Sequence, residues 1–233
     1  LISSMHLLGR NKELHIYAHK ELKEIVDLQL KASNTELNYP LFFHSLPEVD
    51  ETIILEDDNI RISNLILDHS IKCSGFLFEE KRSSRRIIKS NVEKYNVPFD
   101  KMNSLKDGAD WINPQGEIIS NDILTTENSL PHKYAFCSDT RYNESLIEKI
   151  KGVDLLYHET TFMKDLEDRA IKTGHSTTYQ AAAIAKKGKV KKLLIGHYSQ
   201  RYKNLEDLLQ ETKDIFSNTS LSSAGLVIDF KEI

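Results

Sequence analysis

Three motifs decide the fold of this 233-residue chain: His-Glu-Thr-Thr-Phe at 158–162, Gly-His-Ser-Thr-Thr-Tyr-Gln at 174–180, and Gly-His-Tyr-Ser-Gln-Arg-Tyr at 196–202. The first and the third each follow a short apolar run, which is typical of a buried strand. The second places a histidine just ahead of an alanine-rich segment, which is typical of a helix start. In order, they predict strand, loop, helix, strand and loop. Functional residues of open α/β sheets collect at the carboxyl ends of the strands.

His175 in the second motif lies at the entrance of the predicted helix. Backbone N–H groups and the helix dipole favour an anion at such a position. The position therefore predicts a site for a phosphate or for a metal-bound hydroxide.

Outward from these motifs, the chain is β-rich first and then alternates between strands and helices. This order predicts a layered α/β sandwich rather than a barrel. Residues 79–131 begin with a charge run, for which we expect a helix at 85–95, and continue as loops. A last strand is expected at 226–230. We therefore expect a single domain of residues 1–233 with an inserted arm at about 79–131.

The composition excludes few classes of protein. The chain has 31 Lys+Arg against 35 Asp+Glu, so its overall charge does not favour a nucleic-acid partner, and any basic surface must be local. Two scattered cysteines, Cys73 and Cys137, do not form a disulfide framework, which favours a reducing, cytoplasmic location. No apolar stretch is long enough to predict a membrane span.

Side chains that bind divalent ions recur where predicted strands end: His69, Asp139, the pair His158–Glu159, and His197. Zinc accepts imidazole and carboxylate ligands, and its catalytic sites leave one position open for water. An aspartate that bridges two ions fits attack on a phosphodiester. Each histidine alone is more often structural than a ligand. The prediction of a metal site rests on the joint pattern, since every position follows an apolar run of strand length.

These motifs resemble the ribonuclease Z family, the tRNA 3′-processing endonucleases of the metallo-β-lactamase superfamily. The similar segments are Leu1–Leu30 (with Leu7–Arg10 and His15–Tyr17), His69, Ser138–Thr140, His158–Phe162, His175–Ala183 and Gly196–Tyr202. Ser138 stands where the family's Gly-Asp-Thr motif has glycine. The resemblance implies a metallo-β-lactamase-like αβ/βα sandwich and a metal-dependent endoribonuclease. Such an enzyme removes the 3′ trailer from precursor tRNA by attack of a metal-bound hydroxide.

Roles for individual residues follow from the resemblance. His69 is implied to bind the first of two Zn²⁺ ions, His197 the second, and Asp139 both. His175 is implied to protonate the leaving 3′ oxygen or to stabilise the developing charge. Glu159 is implied to orient His175, as carboxylates commonly orient imidazoles.

Substrate contacts are implied at two places. Arg201 in the last motif is expected to hold a substrate phosphate, because its planar guanidinium suits that geometry. In the arm, Lys81, Arg82, Arg85 and Arg86 form either a basic face that follows RNA phosphates or a solvated charge run. The arm lacks the Gly-Pro-rich element that is common in the family. The resemblance also implies a homodimer.

One family motif is missing. The pattern His-x-His-x-Asp-His, which in the family supplies four ligands and the water-activating aspartate, does not occur in these 233 residues. We therefore expect an N-terminally incomplete domain that is metal-free or weakly metallated, and inactive. Two other hypotheses stay open: a metallo-β-lactamase-fold phosphodiesterase or sulfatase that acts on small molecules, and a non-catalytic RNA-binding homologue.

Overall fold

A computed structural model describes residues 1–49, 51–81, 84–128 and 130–233. The strands are β1 (Leu14–Ala18), β2 (Leu41–Ser45), β3 (Ile53–Glu56), β4 (Ile60–Leu67), β5 (Cys73–Glu80), β6 (Arg86–Ile87), β7 (Trp111–Ile112), β8 (Ile118–Ile119), β9 (Thr125–Thr126), β10 (Lys133–Cys137), β11 (Leu155–Glu159), β12 (Lys192–Gly196) and β13 (Thr219–Leu221). The α-helices are α1 (Ile2–Leu7), α2 (Glu21–Ala32), α3 (Lys89–Lys94), α4 (Met102–Lys106), α5 (Asn121–Leu124), α6 (Leu146–Lys149), α7 (Glu167–Thr173), α8 (Thr178–Lys187) and α9 (Glu206–Lys213). Short 3-10 helices lie at Phe99–Lys101, Lys164–Leu166 and Phe230–Glu232.

The chain divides into two compact units. The first consists of Leu1–Leu55, Ile62–Phe78 and Tyr134–Ile233, and the second of Glu56–Arg61 and Glu79–Lys133. A seven-stranded sheet has the order β13-β12-β11-β10-β5-β4-β3, and a separate parallel pair is formed by β1 and β2. β10 to β13 run parallel to one another, so their carboxyl ends meet at one edge of the sheet.

The core of the first unit explains the apolar runs of the sequence. β12 lies between two parallel strands, and Leu193, Leu194 and Ile195 are all buried, which accounts for the absence of alternation. α8 packs against this sheet, and its Ile184 is fully buried. A capping box fixes the start of α8: Thr177 accepts from the Gln180 backbone N–H while the Gln180 side chain accepts from Thr177 N–H.

The second unit has its own apolar core of Val92, Val97, Leu105, Trp111, Ile119 and Leu124. Our expectation of a helix over 85–95 was partly wrong. Arg86 and Ile87 form β6, which pairs antiparallel with β9, and the helix begins only at Lys89. Isoleucine at 87 and 88 favours extended backbone, and pairing with β9 selects strand rather than helix at residues 86 and 87. The assignment of this unit as an arm stays a prediction.

The strand expected at 226–230 was also wrong. The last strand of the sheet is β13, whose Thr219 pairs with Leu193 of β12. β13 is the edge strand of the sheet, and the chain ends in the 3-10 helix Phe230–Glu232. Within the described ranges, no helix combines the length and apolar character that crossing a bilayer requires.

Candidate active site

Strand register aligns the three loops that carry the predicted ligands. Cys137 of β10 pairs with His158 of β11, and Glu159 pairs with Gly196 of β12. Asp139 follows the end of β10 by two residues and His197 follows β12 directly. All three loops therefore leave the sheet at the same edge, where their side chains can meet.

Asp139 and His197 both have left-handed backbone, with φ of 58° and 57°. This conformation costs a residue with a side chain about 1–2 kcal/mol. It turns the chain back immediately after each strand. Strain at two residues of one cluster indicates that their placement serves the site rather than the stability of the fold.

Ligand atoms of Asp139, Glu159, His175 and His197 all lie within 4.8 Å of one another. His197 Nε2 is 3.0 Å from Asp139 Oδ1, and His175 Nδ1 is 2.8 Å from Glu159 Oε1. The ring of His175 lies between two other imidazoles, with centroid distances of 5.2 Å to both His69 and His197. The structure thus brings together all five residues that the sequence assigns to metal binding and catalysis, with His69 outside the tight group of four.

Glu159 accepts hydrogen bonds from several residues of this cluster. Its fully buried carboxylate accepts hydrogen bonds from Thr140 N–H, Thr161 N–H, the Thr161 hydroxyl and His175 Nδ1, at 2.6–3.2 Å. Burial by itself raises the pKa of Glu159, but the hydrogen bonds from His175 and Thr161 outweigh it and lower this pKa. The same hydrogen bond raises the pKa of His175. Glu159 is therefore an ionised acceptor surrounded by donors.

Fixed acceptors hold two of the histidine rings through Nδ1. Glu159 accepts from His175, and the backbone carbonyl of Gly174 accepts from His69 Nδ1 at 2.8 Å. A carboxylate or a carbonyl can only accept, so Nδ1 carries a proton in both rings. Each ring therefore presents its Nε2 for another task, either a proton or an ion.

The third ring, His197, indicates where an ion fits. The Thr161 hydroxyl lies 2.6 Å from Glu159 Oε2 and 2.8 Å from His197 Nδ1. Its single proton goes to the carboxylate, so His197 Nδ1 donates to Thr161. Nε2, the other nitrogen of the ring, faces the Asp139 carboxylate at 3.0 Å, and a positive charge between the two atoms, from a proton or a metal ion, makes this contact favourable.

A divalent ion supplies such a charge. Zinc binds imidazole nitrogen and carboxylate oxygen at about 2 Å each, which places two of its ligand atoms roughly 3 Å apart. Asp139 Oδ1 and His197 Nε2 match this spacing and this chemistry. We conclude that the donor set fits a divalent metal ion.

Gly174 packs against His69, and this contact gives a testable prediction. A Cβ on Gly174 would lie 2.5 Å from His69 Nδ1, whereas a Cβ on Gly152 would meet nothing within 4 Å. Both glycines have positive φ, 83° and 68°. We expect Gly174→Ala and Gly152→Ala each to lose about 1 kcal/mol of unfolding free energy for backbone reasons. Gly174→Ala should lose more and should also shift the His69 ring resonances in NMR spectra. Equal losses with an unmoved His69 would contradict the assigned contact.

His158 does not join the cluster, although the sequence places it beside Glu159. Neighbouring residues of a strand face opposite sides, and His158 is fully buried. Its Nδ1 donates to the backbone carbonyl of Glu159 at 2.8 Å, and its Nε2 has no partner among the described residues. Burial lowers the pKa of His158, so this ring is neutral in the folded protein.

This neutral histidine predicts a loss of stability in acid. Below the ordinary pKa of 6.5, the unfolded chain binds a proton at His158 that the folded chain does not. The contribution is therefore present above pH 6.5 and is lost as the pH falls. We expect the unfolding free energy of the metal-free protein, minus that of His158→Phe, to decrease between about pH 8 and pH 5 in urea titrations. Titratable groups that do not interact with His158 cancel in this difference, so a pH-independent value would contradict the prediction.

Arg201 lies near the cluster. Its Nε donates to Ser199 Oγ at 3.1 Å, and its guanidinium lies 5.2 Å from the centroid of the Phe162 ring. Phe162 in turn meets the His175 ring edge-on at 6.3 Å. Its phosphate-binding role stays a prediction.

The sequence assigns four basic residues of the second unit to RNA phosphates: Lys81, Arg82, Arg85 and Arg86. Lys81 is paired with Glu56 at 2.9 Å, and Arg85 donates to Thr125 Oγ1 at 2.7 Å and pairs with Asp122. Carboxylates thus already partly neutralise two of these charges. Arg86 is exposed, while Arg82 lies outside the described residues. RNA binding by this group stays a prediction.

Sequence reasoning missed Thr161 and Gly174 as parts of the site. Thr161 lies inside the quoted motif at 158–162, but a threonine after a strand end usually serves as a turn or cap residue. The signal was its place two residues beyond a buried carboxylate that needs donors.

Comparison with known proteins identifies relatives at high coverage. A ribonuclease Z of Bacteroides thetaiotaomicron is 42% identical over 228 residues, which are 98% of this chain and 72% of the relative. A ribonuclease Z of Phocaeicola vulgatus is 41% identical over 233 residues, 100% of this chain and 75% of the relative. No protein-family model matches the sequence.

Solved structures confirm the predicted fold. The short form of human tRNase Z aligns with a TM-score of 0.62 and 18% identity, over 98% of this chain and 71% of that structure. The metallo-β-lactamase fold protein YhfI from Bacillus subtilis aligns with a TM-score of 0.59 and 18% identity, over 97% and 68%. The fold is that of the metallo-β-lactamases, and by its sequence identity to curated relatives the chain belongs to the ribonuclease Z family.

Proposed function

We propose that this chain belongs to a metal-dependent endoribonuclease that removes the 3′ trailer from precursor tRNA. The observation that carries the proposal is the cluster of Asp139, Glu159, His175 and His197 at one sheet edge of a chain in the ribonuclease Z family. The tight hydrogen-bond geometry around Glu159 supports a site prepared for chemistry rather than a chance group of polar side chains.

In the proposed site, His197 and Asp139 would hold one divalent ion, for which we propose zinc, and His69 and Asp139 would hold a second. When bound, such ions would supply an activated water as nucleophile and positive charge beside the phosphate. His175 donates the proton on its Nε2 to the leaving 3′ oxygen of the tRNA. Its Nδ1 stays bonded to Glu159, which keeps the ring oriented and favours the protonated form.

The substrate contacts and the assembly extend this proposal. We infer that Arg201 holds a phosphate near the scissile bond and that the exposed Arg86, with its basic neighbours, follows the RNA backbone. We further propose a homodimer that acts in the cytoplasm, on the resemblance to the family.

We also propose that the 233-residue chain by itself is inactive, because it lacks the His-x-His-x-Asp-His pattern. His197 and Asp139 would supply only two ligands to one ion, and His69 and Asp139 only two to the other. Metal analysis tests this proposal: two firmly bound zinc ions per chain would refute it.

The function is tested with this chain extended upstream of Leu1 by a segment that carries the missing pattern. The substrates are a precursor tRNA with a 3′ trailer, the mature tRNA, and a chromogenic phosphodiester. We expect zinc-dependent cleavage of the precursor that leaves a 3′-hydroxyl on the tRNA. Cleavage of the small ester alone would favour a small-molecule phosphodiesterase, and RNA binding without cleavage would favour a non-catalytic homologue.

A further inference from the structure

The Thr161 hydroxyl joins the two halves of the cluster. It contacts Glu159 Oε2 at 2.6 Å, His197 Nδ1 at 2.8 Å and the His197 backbone carbonyl at 3.1 Å, and the residue is buried. Glu159 binds His175 directly through its other oxygen. One carboxylate therefore serves both histidines, His175 by direct contact and His197 through Thr161.

We infer that Thr161 is a positioning residue, whose hydroxyl fixes the His197 ring so that Nδ1 is protonated and Nε2 is free to bind an ion beside Asp139. The hydroxyl can do this because its own proton goes to Glu159, which leaves its oxygen to accept from Nδ1. This inference rests on the proposed function for the identity of the ion, but not for the geometry.

The Thr161 hydroxyl matters because the proton of a neutral His197 ring can lie on either Nδ1 or Nε2. A neutral imidazole carries one N–H, and His197 has an acceptor on each side, Thr161 Oγ1 and Asp139 Oδ1. Without the hydroxyl, the proton moves to Nε2, where the Asp139 carboxylate accepts it. Nε2 is then lost as a ligand until the ion displaces this proton. Groups that orient a metal-binding histidine in this way are commonly worth about 10- to 100-fold in metal affinity.

The chain offers a matched control in the preceding residue. Thr160 is also fully buried, but among the residues that the structure describes its hydroxyl bonds only to the Gly196 carbonyl, at 3.3 Å. That carbonyl keeps the Thr160 backbone N–H at 2.8 Å when the hydroxyl is removed. Thr160→Val therefore makes the same change in size and polarity without touching Glu159 or His197.

The experiment compares Thr161→Val, Thr161→Ser and Thr160→Val in two measurements. Zinc affinity is measured by competition with a chromogenic chelator, and the protonated ring nitrogen of His197 is identified in metal-free protein by ¹⁵N NMR. We expect Thr161→Val to lose about 10- to 100-fold in zinc affinity and to carry the His197 proton on Nε2. Thr161→Ser and Thr160→Val should keep the wild-type affinity and a protonated Nδ1.

Three results would overturn the inference. These are an unchanged affinity and tautomer in Thr161→Val, equal losses in Thr160→Val, and a neutral His197 with bare Nδ1 in the wild-type protein. The wild-type spectrum decides even if Thr161→Val does not fold. Failure of the wild-type protein to bind zinc would instead count against the proposed metal centre, while the tautomer still tests Thr161.

Discussion

Replacing Asp139 with asparagine is expected to abolish divalent-ion binding while leaving the metal-free fold intact. Asp139 is the charged ligand that faces His197 Nε2 at 3.0 Å, and an amide oxygen cannot neutralise the ion. Loss of a group that only orients a ligand costs roughly 10- to 100-fold in affinity, so loss of the charged ligand should exceed about 100-fold. Zinc affinity from chelator competition is the measurement. In the chain extended upstream, cleavage of precursor tRNA should fall at least as far.

The fold of Asp139→Asn should be as stable as that of the wild type, or more stable. In the metal-free protein the carboxylate and His197 Nε2 face each other, and their contact depends on a positive charge between them. An asparagine amide can donate to Nε2 and removes this dependence. Functional sites commonly trade stability for activity in this way. Thermal unfolding in the presence of a chelator measures the effect.

The control for Asp139→Asn is Asp165→Asn. Asp165 is exposed in the 3-10 helix Lys164–Leu166 of the same unit, so its substitution changes the net charge equally. We expect no change in zinc affinity. If both variants lost affinity alike, the cause would be overall charge, and Asp139 would not be a ligand.

Replacing Glu159 should have the largest effect on the fold. The side chain is fully buried, and removing it in Glu159→Ala leaves three donating residues without their acceptor: Thr140, Thr161 and His175. Breaking a buried ionic pair by removing one partner costs about 3–5 kcal/mol. We expect a loss of this order in urea unfolding. A matched surface change, Glu148→Gln in an exposed pair with Lys151, should leave the unfolding free energy unchanged.

Glu159→Gln keeps the shape of the side chain and removes its negative charge, so it tests the effect of the charge alone. The amide keeps one accepting oxygen, but its NH₂ group faces donors, so we expect a loss of about 1–3 kcal/mol. The pKa of His175 should fall as well, because the hydrogen bond to Glu159 is the main cause that raises it. NMR titration of the metal-free protein measures this pKa. An unchanged His175 pKa would show that the pair does not act as the structure indicates.

The loss of unfolding free energy in Glu159→Gln should depend on pH in a defined direction. The raised pKa of His175 gives stability that is full below its ordinary value of 6.5 and is lost as the pH rises through the folded pKa. The lowered pKa of Glu159 gives stability that is full above 4.5 and is lost as the pH falls through the folded pKa. The destabilisation by Glu159→Gln should therefore be greatest between pH 4.5 and 6.5.

The contrast between Glu159 and Arg85 shows what a sequence pattern can and cannot predict. Glu159 lies in a motif at a strand end, and both its neighbourhood and its link to His175 followed from the resemblance. Arg85 lies in a charge run whose partners, Thr125 and Asp122, are about 40 residues away, and nothing local indicates them. The contacts of Arg85 with Thr125 and Asp122 depend on the pairing of β6 with β9.

The sequence alone determined the family, the α/β alternation and the strand-end residues. Apolar runs of strand length are local signals, and parallel strands necessarily end at the same edge of the sheet. Only the tertiary structure decided which side chains face one another there. The side on which His158 lies depends on register, and the left-handed turns at Asp139 and His197 depend on the loops around them. The Thr161 hydroxyl donates to Glu159 and faces His197 only because the chain segments that follow β11 and β12 come together at this point. These features arise from contacts between residues far apart in the chain, which no local pattern encodes.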